Sequence, residues 1–414
     1  MDFNDTPEEA AFRAKVRAWL AANAEPKRAD AGGQGTGVGE SMTEDDVRAA
    51  KAWQRRKAEA GWACLRWPKE YGGQGASAIE QVIWNQEEAK VRTPEDIFGI
   101  THGMCAPTVM THGTEEQKRR WIPGMLTGEN VWCQLFSEPA AGSDLAGLRT
   151  TAVRDGDDWI LNGQKIWTTG AQIADWGIIV VRSDPTVPKH KGLTYFVVDM
   201  HAPGVEVRPI HQINGGRAFN EVFFTDVRVP DAQRLDAVGN GWRVALTTLM
   251  NERASIGGGG GGAAIGDLIA LARRIEVDGR RAIDESAVRE RLADFLVRAR
   301  GLKYTGYRTL TALSQGRIPG PEASLGKLVG AVLGQDMAAF GIELQGMAGG
   351  AHDPGVSADG GAWQERYLGF PGLRIAGGTD EVLRNIIAER VLGLPPEIRV
   401  DKNVPFAEVP TGSG

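Results

Sequence analysis

Cysteine is scarce in this chain. Cys64, Cys105 and Cys133 are the only three in 414 residues, odd in number and far apart. That excludes a disulfide framework and a cysteine zinc motif, and it fits a reducing compartment. The six histidines fall at no metal-ligand spacing, so no metal is expected. A basic surplus is also missing. The formal net charge of −6 argues against a nucleic-acid partner and leaves any anionic ligand dependent on local basic residues. No apolar run approaches the roughly 20 residues needed to span a bilayer. The acidic start, Met1-Asp2-Phe3-Asn4-Asp5, is wrong for a signal or transit peptide, so the expected location is cytoplasmic.

What is present is a globular composition, 42% hydrophobic and 24% charged. The length calls for two or three domains sharing a large buried core. Residues 1–130 read as helical: Phe12, Val16, Trp19 and Leu20 share one helix face. Thr43 is placed as an N-cap, with Asp45 and Asp46 in the first turn after it. Ala31 to Glu40 is Gly-rich without a core-forming pattern, which predicts a mobile surface loop. Residues 131–233 change to short β-rich runs, and Asn162-Gly163 predicts a two-residue hairpin. Helical stripes return over 234–400, among them Leu292, Phe295, Leu296 and Ala299, then Leu383, Ile386, Ile387 and Val391. Residues 401–414 are expected as a flexible tail. The class is therefore α+β: a helical domain, a β domain, then a helical bundle.

Two stretches concentrate chemistry. Phe136-Ser137-Glu138-Pro139-Ala140-Ala141-Gly142-Ser143-Asp144-Leu145 opens the β region with hydroxyls, a proline and a glycine. Such a loop exposes backbone N–H groups to a planar heterocycle or a phosphate, although an ordinary turn has the same composition. Lys165-Ile166-Trp167-Thr168-Thr169-Gly170 offers a broad indole face and a hydroxyl, although a strand Trp is more often core.

Together these stretches resemble the acyl-CoA dehydrogenase family. The resemblance continues in Trp67-Pro68-Lys69-Glu70-Tyr71-Gly72-Gly73, in His112-Gly113-Thr114-Glu115-Glu116-Gln117-Lys118, and in Gly377-Gly378-Thr379-Asp380-Glu381, all in family order. It implies the family fold: an N-terminal helical domain, a β-barrel-like middle domain and a C-terminal four-helix bundle. It also implies FAD as cofactor, an acyl-CoA substrate, an electron-transfer flavoprotein as acceptor, a homotetramer, and a place in fatty acid or lipid metabolism. By position, Ser137 would sit at the flavin N5 edge, and Gln134, Phe136, Gly142 and Ser143 would line the ring and ribityl region. Trp167 would cover the exposed flavin face, with Thr169 bonded to the ring system. Thr379 and Glu381 match positions on the adenine side of FAD. The family's Arg-x-x-Phe-Gly segment, which meets a neighbouring subunit's pyrophosphate, lacks its Phe-Gly here, at Asp278-Gly279-Arg280-Arg281-Ala282.

The reaction needs a carboxylate in a dry pocket, its pKa raised towards the operating pH. Many family members carry that Glu just before the Gly-Thr of the C-terminal motif, where this chain has Gly377. Isovaleryl-CoA and long-chain dehydrogenases place it instead in a Glu-Arg pair on the first long C-terminal helix, matched here by Glu252-Arg253. At 100° per residue, Leu246, Leu249, Met250 and Ile256 form an apolar face with Arg253 near its middle and Glu252 at its edge. Glu252 is therefore the expected base, against the bland reading of a solvated ion pair. Arg253 and Ser143 are expected at the substrate, and Gly377 contributes its backbone N–H to the thioester carbonyl. The six glycines from Gly257 to Gly262 are costly in a helix. They read as close packing, room for a wide acyl group, or a break; no strand precedes them, so they are no dinucleotide fingerprint. Two other functions compete: a silent FAD- or acyl-CoA-binding subunit of a hetero-oligomer, motivated by Gly377, and a flavin acyl-CoA oxidase.

Overall fold

The computed structural model describes residues 5–27, 42–256, 261–314 and 320–409. The expected loop at 31–40 and most of the glycine run at 257–262 lie outside them.

In chain order the helices before the sheet are α1 (Pro7–Asn23), α2 (Glu44–Glu59), α3 (Ala78–Glu88), α4 (Ala106–His112) and α5 (Glu115–Thr127). Four of these starts are written locally. Thr6 with Glu9, Thr43 with Asp46, Ser77 with Glu80 and Thr114 with Gln117 each close a reciprocal capping box. The strands are β1 (Trp132–Leu135), β2 (Thr151–Asp155), β3 (Asp158–Thr169), β4 (Trp176–Arg182), β5 (Leu193–Asp199), β6 (Val205–Pro209), β7 (Phe219–Pro230) and β8 (Arg234–Leu235). They form one eight-stranded sheet in the order β8-β5-β4-β2-β3-β7-β6, with β1 added parallel to β4. After it come α6 (Gly241–Ile256), α7 (Gly261–Arg274), α8 (Ser286–Ser314), α9 (Ser324–Leu344), α10 (Ala362–Ile375) and α11 (Asp380–Arg390). The expected order of helices, sheet and helices is present.

The chain divides into two compact units. The first joins residues 1–37, 77–93 and 253–396; the second joins 38–76, 94–252 and 397–414. In the first, Leu268, Leu271, Leu292, Phe295, Leu333, Met337 and Trp363 make the core of α7 to α10. Helix α9 is 21 residues long, with a mean hydropathy of 1.2, long and apolar enough to cross a membrane. Leu333, Met337 and Phe340 are instead spent on this core.

An ion cluster joins α1 to α3. Glu87 is 3% exposed and accepts from Arg17, Lys90 and Arg13 at 2.9, 2.9 and 2.8 Å. Burial alone would raise its pKa, but the three cations hold it at about 2, against an ordinary 4.5. A depressed carboxylate stabilises the fold above its unfolded pKa, and that contribution fades as pH falls from 4.5 towards 2. Glu87→Gln should therefore cost on the order of 2–3 kcal/mol at neutral pH. In urea unfolding the gap to the parent should narrow at acid pH; a gap independent of pH would contradict this.

In the second unit, the sheet is buried on both faces. Ile178, Val180, Tyr195 and Val197 face one core, while Ile179, Val181, Phe196 and Val198 face the other. The structure corrects the expected hairpin. The turn between β2 and β3 is Gly156-Asp157, next to the pair Asp155 and Asp158, and Asn162-Gly163 lies inside β3. There the Asn162 side chain exchanges hydrogen bonds with Asp226 and makes a bulge against β7. Gly163 has φ +149°, and a Cβ there would stand 2.5 Å from Thr150 Oγ1. The dipeptide thus serves close strand packing, which demands the same glycine as a turn.

The tail expected to be flexible from 401 is packed over residues 401–409. Asp401 pairs with Lys189, and the Phe406 ring lies 3.5 Å from the Arg182 guanidinium. Phe406 and Ala407 donate backbone N–H groups to Val187 and Pro185.

Candidate functional site

Helix α6 carries Glu252 close to its C-terminal end. Its buried face differs from the expected one: Val244, Ala245 and Thr248 are buried, while Leu246 and Met250 are 42% and 62% exposed. The helix approaches β5 so closely that a Cβ on Gly241 would lie 2.7 Å from the Leu193 backbone. Small side chains permit that approach, and the larger ones are turned away. Thr248 shares its hydroxyl with Thr108 at 2.9 Å and with the Tyr195 phenol at 3.0 Å. Ala245, Thr248 and Glu252 follow one another at helical spacing, so Glu252, itself half-buried, lies at the end of the buried stripe. One partner is on β1: Gln134 Nε2 donates to Glu252 Oε2 at 3.1 Å. The other end of that amide, Gln134 Oε1, is buried and finds no donor among the described residues. The side chain of Arg253 lies outside the described residues.

Beyond β1 the chain enters the Phe136–Asp144 loop. The Phe136 ring is buried edge-on to Tyr195. The Ser137 carbonyl accepts from Ile166 N at 2.9 Å, which ties the loop to β3. Beneath it sits a buried ion pair. Glu138 accepts from Arg149 N, Thr150 N and Lys165 Nζ at 2.6, 2.9 and 2.8 Å. Lys165, fully buried, also donates to the carbonyls of Phe136 and Val180. Burial pushes the Glu138 carboxyl up, but the Lys165 charge and these hydrogen bonds hold it below its ordinary value and ionised. Sequence reasoning quoted both residues without a role for either. The signal was a lysine on a strand whose alternate positions are core.

With its base fixed, the loop leaves Gly142 and Ser143 exposed, and a Cβ on Gly142 would meet nothing within 4 Å. Asp144 pairs with Lys189 at 2.8 Å, the lysine that also holds Asp401. On β3 the register shifts between Lys165 and Thr168, and Trp167 stands there at φ +60°. A bulky residue in that conformation is strained, and such strain gathers where a side chain must be aimed. The indole is 57% exposed, its edge against Phe219. Thr168 is buried with its hydroxyl unpartnered among the described residues, and Thr169 is half-buried opposite Phe219. An aimed indole, an open glycine loop and the orphaned buried hydroxyl of Thr168 fit a planar, hydrogen-bonding group such as an isoalloxazine.

In the first unit, Gly377 and Gly378 have φ +66° and +96°, which favours glycine at both positions. Thr379 caps α11 by accepting from Val382 N, and Glu381 is exposed in its first turn. Lys327 donates to the carbonyls of Gly378 and Arg374 at 2.6 and 3.0 Å, and buried Asp380 accepts from Arg374. Lys327 and Asp380 thus hold the Gly-Gly-Thr turn, and neither had been singled out as its support. At Asp278-Gly279 the chain makes a tight turn between the short strands Glu276–Val277 and Arg280–Arg281. Among the described residues no cluster of His, Cys, Asp or Glu could hold a metal.

Three family models match the chain: the acyl-CoA dehydrogenase N-terminal domain over residues 6–129, the middle domain over 133–227 and the C-terminal domain over 239–392. Acyl-CoA dehydrogenase IpdE1 of Mycobacterium tuberculosis is 37% identical over 94% of this chain and 98% of its own length. Among solved structures, the Tcur3481-Tcur3483 steroid ACAD superposes with a TM-score of 0.79 at 29% identity, over 96% of this chain and all of that one. A chain of the ChsE4-ChsE5 complex from Mycobacterium tuberculosis gives a TM-score of 0.79 at 32% identity, over the same shares.

Proposed function

The chain belongs to the acyl-CoA dehydrogenase family, and from that we propose that it desaturates a bulky, steroid-type acyl-CoA thioester between its α and β carbons, with Glu252 as the base. The enzymes of this family are FAD-dependent. The single observation that carries the reading is the Glu252 carboxylate, held by Gln134 on the strand that leads into the Ser137 loop. When bound, FAD supplies an acceptor for the hydride that leaves the β carbon. The residues of the chain do the rest. Glu252 takes the α-proton, and the Gly377 N–H donates to the thioester carbonyl, where negative charge gathers as that proton leaves. Arg253 and Ser143 orient the thioester. Gln134, Phe136, Ser137, Gly142, Trp167 and Thr169 frame the flavin ring, and Thr379 and Glu381 serve its adenine side. The product is the trans-2-enoyl-CoA, and the electrons pass to an electron-transfer flavoprotein.

The steroid-type acyl group is supported by the neighbour titled steroid ACAD. A panel of acyl-CoAs tests it. A polycyclic thioester should bleach the flavin anaerobically with a kcat/KM at least about tenfold above straight chains. A preference for straight chains would overturn the acyl assignment and leave the base in place.

The oxidase alternative predicts hydrogen peroxide in air at the turnover rate. The dehydrogenase reading expects only a trace, with turnover restored by an electron-transfer flavoprotein. We take the working form to be an oligomer. Leu392 and Leu394, two residues apart after α11, are each more than half exposed, and neighbouring exposed apolar side chains suit a contact surface. A homotetramer follows from the resemblance. The segment 278–282, lacking Phe-Gly, and the similar ChsE4-ChsE5 complex favour a mixed assembly with a second related chain.

A further inference from the structure

We propose that Gln134 is a positioning residue for Glu252: its amide keeps that carboxylate ionised and aimed, and so sets the pH at which the protein can accept the α-proton. The inference rests on the reading of Glu252 as the base.

Gln134 lies between Cys133 and Leu135, both fully buried, on a strand locked to β4 with Gln134 opposite Ile178. The backbone is therefore fixed, and the side chain is the adjustable part. It reaches α6 and donates Nε2–H to Glu252 Oε2 at 3.1 Å. A hydrogen bond donated to a carboxylate favours its charged form and lowers its pKa. The reverse orientation of the amide would set two acceptor oxygens against each other, so the N–H faces Glu252 while the carboxylate is ionised. That orientation leaves Gln134 Oε1 buried without a donor among the described residues. An orphaned carbonyl is a cost that a merely structural glutamine would avoid. It has a use here. Once Glu252 holds the proton, its O–H is a donor, and a half-turn of the amide offers Oε1 as the acceptor. Gln134 thus serves both protonation states, and the charge-assisted bond is the stronger of the two.

Several titratable groups of the same unit have partners of their own. Lys165 pairs with Glu138, and Arg182 donates to the carbonyls of Ala146 and Leu148. His102 bonds the Met125 carbonyl, His112 bonds Asp236 and Thr247, and Tyr195 bonds Thr248. Burial pushes the Cys105 and Cys133 thiols up, so they stay neutral. Gln134 is a neutral donor that faces the base.

The test compares the FAD-loaded parent, Gln134→Met and Glu252→Gln. Infrared pH titration, with Glu252→Gln as the blank, isolates the Glu252 carboxyl without turnover. Rapid-mixing kinetics across pH give the acid limb of kcat/KM. In Gln134→Met both the carboxyl midpoint and the acid limb should move up by about one pH unit. Turnover well below the midpoint should fall about tenfold, with unfolding temperature near the parent's. An unchanged midpoint overturns the proposal. If Gln134→Met fails to retain FAD, the same titration on flavin-free proteins decides the question. A Glu252→Gln protein that reduces its flavin at the parent rate overturns the base assignment and this role together. An unmoved midpoint beside an inactive Glu252→Gln removes the role of Gln134 alone.

Discussion

Glu252→Gln is expected to bind FAD and acyl-CoA as the parent does and to reduce its flavin at least about a thousandfold more slowly. The substitution keeps the shape and the hydrogen bond: an amide at 252 can still accept from Gln134 Nε2, now 3.1 Å from the Glu252 carboxylate. What it removes is the carboxylate's capacity to accept a proton. The helix should keep its place, since α6 is anchored by Val244, Ala245 and Thr248. Stopped-flow bleaching under anaerobic conditions reads the rate, and difference absorbance on adding a non-reducible acyl-CoA analogue reads binding. Parent-like bleaching would send the search to another carboxylate and return the silent-subunit reading to first place. Weakened binding with a parent-like limiting rate would make Glu252 a substrate contact instead.

The second large effect is expected at Lys165. Lys165→Met keeps the length of the side chain but strands the Glu138 charge in the sheet, beside backbone donors that cannot neutralise it. Breaking a buried pair from one side costs about 3–5 kcal/mol. The loss should be local as well as global, because Lys165 also holds the Phe136 carbonyl at 3.0 Å and so fixes the Ser137 loop. Lower flavin content at a given free FAD concentration, together with a lowered thermal midpoint, is the expected pair of results. Adding Glu138→Gln should recover much of the stability, since no unpaired charge then remains. The pH dependence follows from Glu138. Its pKa is held below the ordinary 4.5, so its stabilisation is complete above that value and is lost as pH falls. A Lys165→Met protein with parent-like stability and flavin content would show that the pair is incidental.

How much of this was legible in the sequence follows the range of each interaction. Helix starts were readable wherever the signal was local: Thr43 and Asp46 lie three residues apart and close their box as the pattern predicts. The β-rich runs were readable because alternation and branching are local too. Asn162-Gly163 misled because the same dipeptide serves a hairpin or a bulge, and the choice was made by Asp226, sixty-four residues away. The face of α6 misled for a related reason. Hydrophobicity favoured Leu246 and Met250, but close approach to β5 selected Gly241, Ala245 and Thr248, which a hydropathy pattern undervalues. The supports of the site were the least visible part. Glu138 with Lys165, Asp380 with Lys327, and Gln134 with Glu252 are long-range pairs that only the folded chain assembles. The residues proposed to touch ligands were easier to single out, since they gather in stretches that resemble the family. Those that hold them do not.

The most direct test of the central account is anaerobic mixing of the FAD-loaded protein with a polycyclic acyl-CoA, unlabelled or deuterated at the α or the β carbon. The account predicts one flavin bleached per enoyl-CoA formed, slowed by deuterium at either carbon, because one C–H loses its proton to Glu252 and the other loses hydride to the flavin. An FAD-loaded protein that no acyl-CoA in the panel bleaches, with no enoyl product, would contradict it.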